Sequence, residues 1–202
     1  MKAFLDSPEL AVKIRAQVQA HFDADEIIHG KYWENGKGCA VGCLVHSANH
    51  AEFETKLGIP KEIAYLVDGL FEALPNGIAK EFPLRIVNAI KPGADLSMVI
   101  PQFLLWMLSD PKIGSITDVR YDETKRFVKA VIAIFEEWVK TGTKPASDSE
   151  LARAARAAWD AGDAWAARDA WAAWGDARAA WAAWDARNKA AADKLIELLE
   201  AA

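Results

Sequence analysis

The chain has only two cysteines and four histidines, and all of them fall between His21 and His50. Cys39 and Cys43, four positions apart beside Lys37 and His46, do not make a disulfide framework and read as reduced thiols. An excess of positive charge is also lacking. A mildly acidic net charge of −5 argues against a nucleic-acid partner, whose phosphate backbone needs a basic face to release its counterions. No apolar run is long enough to span a bilayer, and no charged-then-apolar leader opens the sequence, so no membrane is expected and the expected location is cytoplasmic. What remains is 202 residues of ordinary composition, enough for one large domain or a domain with an appendage.

Helical punctuation runs through the first 140 residues. Ser7-Pro8-Glu9 reads as a serine cap, a first-position proline and an acid at the positive dipole end. Leu10, Ile14, Val18 and Phe22 follow as one apolar stripe. A helix running on to Gly30 would put His21, Asp25 and His29 on one face, with Glu26 three residues before His29. Lys31 to Gly38 is a polar, glycine-bearing loop carrying Tyr32 and Trp33. A second helix is expected from Gly38 or Cys39 to Gly58, before the stop signal Ile59-Pro60. Within it Cys39, Cys43, His46, His50, Phe53 and Leu57 step 4-3-4-3-4, the spacing of a single inward seam.

Pro60 restarts the chain as a helix with Ile63, Leu66, Val67, Leu70, Phe71 and Leu74 inward. Pro75-Asn76-Gly77 separates it from a helical segment kinked or restarted at Pro83. Asp95 is expected to cap the most apolar helix, Leu96 to Leu108, whose all-round hydrophobicity suits full burial. Ser115 to Arg120 reads as loop or a short strand. Asp122 then caps an amphipathic helix with Phe127, Val131, Ile134, Phe135 and Trp138 inward.

Thr141-Gly142-Thr143-Lys144-Pro145 marks the clearest boundary. The expected organisation is therefore a helical body over 1–140, a linker over 141–146 and a long Ala/Trp-rich helix over 147–202. Ser147 and Glu150 have the spacing of a capping box. Six of the nine tryptophans lie in this tail. Written as heptads, Trp174, Trp181, Asn188 and Leu195 share one position, and Ala177, Trp184, Ala191 and Leu198 another. A helix of that length, roughly 50 Å or more at 1.5 Å per residue, exceeds what one small body covers. The tryptophans therefore suggest a subunit contact and a homo-oligomer, and Asn188 is the kind of seam residue that sets register.

Four segments carry a resemblance: Tyr32 to Cys43 (Tyr-Trp-Glu-Asn-Gly-Lys-Gly-Cys-Ala-Val-Gly-Cys), Gly58-Ile59-Pro60, Leu70 to Asn76, and Asp193 to Ala202. Together they resemble a group of uncharacterised bacterial and phage proteins that also carry an alanine-rich, tryptophan-punctuated tail. The resemblance covers most of the chain and brings no activity with it. Over far fewer positions, Cys39-Ala40-Val41-Gly42 and His46-x-x-x-His50 resemble the zinc-binding domains of bacterial chemoreceptors. The Cys-to-His distance is much shorter here, so neither ligands nor fold carry over.

Three chemistries compete for the Cys/His window. A zinc or iron site wants about four ligands, and Cys43, His46, His50, His29 and Glu26 are the candidates, with His21 and Asp25 in reserve. Cys39 and His50 are about 16 Å apart along a helix, so the whole seam does not hold one ion. Cys39, after Gly36-Lys37-Gly38 at a helix start, is the candidate nucleophile if the protein is an enzyme, because the dipole and Lys37 would lower its pKa. The same entry, with Tyr32, Trp33, Asn35, Gly36, Lys37, Gly38 and Cys39, suits a small anionic or nucleotide-like ligand, through amides, an ammonium and aromatic faces. Against all three stand hydrogen-bonded core histidines, small buried thiols and an ordinary glycine turn. The expectation is an all-α multi-helix protein that binds a small ligand without catalysis. A Cys/His metalloprotein or cysteine enzyme is the alternative, and an interaction module using the tryptophan helix a further one.

Overall fold

In a computed structural model the protein is all-α, with one short hairpin among the described residues. The structure describes residues 1–117, 119, 122–147, 149, 150, 153 and 177–202, leaving aside the side chains of 123 and 177–185. Two units are distinguishable: residues 1–100 with 185–202, and residues 101–184. The last eighteen residues thus belong to the unit that holds the Cys/His window, where composition alone had set the whole tail apart from the body.

Helix α1, Pro8–Asp23, starts as its sequence dictates, with Ser7 Oγ accepting from the Leu10 amide at 3.1 Å. Its buried face is Ala11, Ile14, Val18 and His21, so His21 takes the inward place expected of Phe22. The helix does not continue to Gly30. After Asp23 the chain closes a Schellman motif: Asp25 adopts φ +55°, its amide donates to Phe22 O, and the Glu26 amide donates to His21 O. His21, Asp25 and His29 therefore do not share a helical face.

The second expected helix is likewise two. Helix α2, Ala40–Val45, is buried at all six positions, and helix α3, Glu52–Leu57, follows after a loop. His46 caps α2 in the left-handed region (φ 51°, ψ 47°), so the 4-3-4 seam breaks between Cys43 and His50. Between α1 and α2, strands β1, Trp33–Glu34, and β2, Lys37–Gly38, pair around Asn35 (φ 53°) and Gly36 (φ 82°). Two left-handed residues in a row suit a tight two-residue hairpin. The motif glycines have a packing reason: a Cβ at Gly38 or Gly42 would overlap the Tyr32 carbonyl oxygen.

Helices α4, Lys61–Ala73, and α5, Asn76–Ala89, complete the frame, and Pro83 lies inside an unbroken α5. Polar side chains of α1 close the ends of its neighbours. Gln17 donates to Cys43 O and Leu44 O, while the Arg15 guanidinium donates to Val87 O and Ile90 O. These are terminal carbonyls that a helix cannot satisfy itself. Helix α6, Val99–Ser109, begins three residues later than expected, which puts Pro101 in its first turn, where proline is tolerated. Asp95 instead accepts from the Ser97 amide.

In the unit of residues 101–184, full burial of α6 is not found: Phe103 is buried, but Leu104 is 37% exposed. Ser115–Thr117 form a 3-10 turn rather than a strand. Helix α7, Asp122–Thr141, buries Val128 and half-buries Phe127, Val131, Ile134, Phe135 and Trp138.

The final helix, α8, runs Ala177–Ala201. Ala191, Ala192, Leu195, Ile196 and Leu199 are buried, one helical face. Asn188 donates to Ala73 O at the end of α4, and Arg85 pairs with Asp193 at 2.8 Å. Trp174, Trp181 and Trp184, on which the expected subunit contact rests, lie outside the described side chains. Among the described residues no helix is long and apolar enough to cross a membrane.

Candidate functional site

The Schellman turn after α1 returns Glu26 to the histidine five residues before it. Glu26 Oε2 lies 2.7 Å from His21 Nδ1, and His21 Nε2 lies 2.7 Å from His46 Nε2. A half-buried carboxylate, a buried imidazole and an exposed imidazole thus form one chain, with the buried ring in the middle. A carboxylate only accepts, so His21 carries its proton on Nδ1. When both rings are neutral, His46 donates from Nε2 to His21 Nε2, and His46 Nδ1 keeps its lone pair.

Several contacts hold His46 in place. Gln17 and Lys56 satisfy the last α2 carbonyls, Lys56 Nζ reaching Val45 O at 2.9 Å. The Trp33 ring stacks on the His46 ring (4.4 Å between centroids, 13°) and meets His21 edge-on at 5.4 Å. Desolvation lowers the His46 pKa first, and the charges of His21 and Lys56 add to this, against a smaller upward pull from Glu26. His46 is therefore neutral near pH 7, in the form that accepts a proton. The left-handed backbone at His46 is the kind of local strain that functional positions carry.

A second cluster lies around His50. Its ring stacks on Tyr65 (4.7 Å, 14°), meets Tyr32 edge-on, and brings Nε2 to 3.3 Å from Asp68 Oδ2. Cys39 is fully buried beside it. Burial pushes its thiol up to about 12, the Asp68 carboxylate adds to the rise, and the Gly42 and Val41 backbone offsets part of it. The expected low-pKa nucleophile at Cys39 is thus corrected: loss of water outweighs the dipole of a six-residue helix. Cys43 is also buried, and its thiol is pushed up to about 12 by burial.

The other expected residues divide. Tyr32 stays 51% exposed and Trp33 half-buried, with Asn35, Gly36 and Lys37 at the hairpin tip. Gly38 and Cys39 face inward, and the Cys39 amide donates to Lys31 O and Tyr32 O, so the helix entry is already occupied by backbone. The five expected metal ligands are dispersed. Cys43 Sγ donates to Gly38 O, His29 Nε2 donates to Phe71 O, His50 faces Asp68, and only Glu26 and His46 share a cluster, through His21. Among the described residues no group of three or more His, Cys, Asp or Glu side chains is arranged to hold a metal ion.

Sequence reasoning gave His21 only a reserve role, although it is the middle of the relay. Its signal was its place at three-residue spacing from Val18, inside the apolar stripe. Asp68, Tyr65, Gln17 and Lys56 had no sequence signal, since each acts through a long-range contact. No family model, curated protein or solved structure matches this chain.

Proposed function

We propose that this protein binds a small planar anion, of nucleotide-like chemistry, at the surface around Tyr32, Trp33 and His46. His46 Nδ1 takes up a proton from the ligand as its Nε2 proton passes to His21 Nε2 and the His21 Nδ1 proton passes to Glu26, and the steps reverse to return it. The observation that carries this reading is the unbroken Glu26–His21–His46 chain, with two 2.7 Å contacts ending on an exposed imidazole. Tyr32, 51% exposed, offers an aromatic face, and Lys56, which bonds Val45 O and pairs with Glu52, is the cation next to His46. This keeps the aromatic end of the expected ligand surface and replaces Cys39 with His46 as the reactive group.

Calorimetric titration with AMP tests it. Binding is expected to weaken about tenfold in His46→Ala and in Trp33→Leu, a loss of about 1.4 kcal/mol. Absence of AMP binding, or binding that both variants leave intact, overturns the reading.

A further inference from the structure

On the other side of the Glu26 turn lies a cavity of about 250 Å³ that the proton relay does not use. Ile27, Ile28 and Phe71 give it apolar walls, and His29, Asn76 and Lys80 supply its polar groups. The volume is below the roughly 300–1,000 Å³ of pockets for drug-sized ligands, so its occupant is small.

The chemistry of the lining narrows the occupant further. His29 Nε2 is 3.0 Å from Phe71 O, and a carbonyl only accepts, so that nitrogen bears the hydrogen. The ring is also pinned edge-on to Phe71, at 4.7 Å between centroids. Among the described lining residues Lys80 is the one lysine or arginine. Its ammonium is paired across the rim with Asp25, whose side chain is 75% exposed. An exposed pair of this kind contributes little, so an incoming anion can take over the ammonium. One cation suits one negative charge, and three apolar walls suit a hydrocarbon body. Asn76 offers an amide donor to the same head group.

We propose that this cavity binds a small organic monocarboxylate, its carboxylate on Lys80 and Asn76 and its apolar body against Ile27, Ile28 and Phe71. Benzoate is the probe, followed by NMR on the full chain, with phthalate as the dianion and benzyl alcohol as the neutral analogue. Benzoate is expected to bind with Kd on the order of 1 mM, shifting signals of Ile27, His29 and Phe71. Phthalate and benzyl alcohol bind at least about tenfold more weakly. Lys80→Met removes the preference for benzoate over benzyl alcohol but leaves the fold, and Ala79→Leu fills the cavity and blocks both. Lack of benzoate binding, equal binding of the alcohol, or benzoate affinity unchanged in Lys80→Met overturns the proposal. His46→Ala leaves benzoate binding unchanged, which separates this site from the relay.

Discussion

His46 is where conformation, charge and exposure meet. Its left-handed backbone turns the chain out of α2, and the turn aims Nε2 at the buried His21. At 2.7 Å the two facing nitrogens have room for one proton between them, so charging both rings breaks the contact. The lowered pKa of His46 has a consequence for stability. Between its folded pKa and the ordinary value of about 6.5, the unfolded chain binds more protons at this position than the folded one. Stability therefore rises with pH through that window. The destabilisation begins as pH falls below about 6.5 and is complete below the folded value. NMR titration of the His46 ring should give a midpoint below about 6.5, and urea midpoints should fall over the same range. A His46 titrating at or above the ordinary value would contradict the assigned environment.

At the scale of elements, the glycines of the Gly-Lys-Gly-Cys-Ala-Val-Gly-Cys segment act through packing. Gly38 and Gly42 let the Tyr32 carbonyl lie directly against β2 and the first turn of α2. That contact sets Tyr32 and Trp33 over His50 and His46. Gly42→Ala places a methyl on a backbone atom that has no easy retreat. It should cost on the order of 3 kcal/mol in urea denaturation and loosen the Trp33 stack. Gly36 is different: nothing lies within 4 Å of an added Cβ, and only φ +82° resists substitution. Gly36→Ala should cost about 1 kcal/mol, from backbone strain alone. Equal effects of the two substitutions would mean that close packing on Tyr32 is not the reason for Gly42.

For the whole molecule, the question is what the C-terminal residues do. Leu195 and Leu199 are fully buried in the unit formed by residues 1–100 and 185–202. Asn188, Asp193 and the Glu200 carbonyl bond to Ala73, Arg85 and Lys91 of that same unit. The end of α8 therefore works as part of the body that carries the relay. Leu195→Ala should destabilise this unit by about 2–5 kcal/mol, as deletion of a buried leucine does. The change should appear in the denaturation of the relay region, followed by the His21 and His46 ring signals. If those signals melt as in the unsubstituted protein, the segment is not integral to the unit.

The sequence by itself determined the all-α class, the capped start of α1, the stop at Gly58 and the confinement of every cysteine and histidine to the stretch from His21 to His50. These follow from local rules, such as caps, prolines, glycines and apolar period, that act within a turn or two of chain. It did not determine where α1 ends or that the Cys/His helix breaks at His46. Asp25 and His46 adopt left-handed conformations that glycine more often occupies; local capping bonds close both turns, and at His46 Gln17 and Lys56 add contacts from distant residues. Tertiary structure also reversed the roles within the window. Cys39, the candidate nucleophile if the protein is an enzyme, is buried beside Asp68, where loss of water raises its pKa. His21, on the apolar stripe of α1, becomes the link between Glu26 and His46, because a buried imidazole needs partners that only the folded chain supplies.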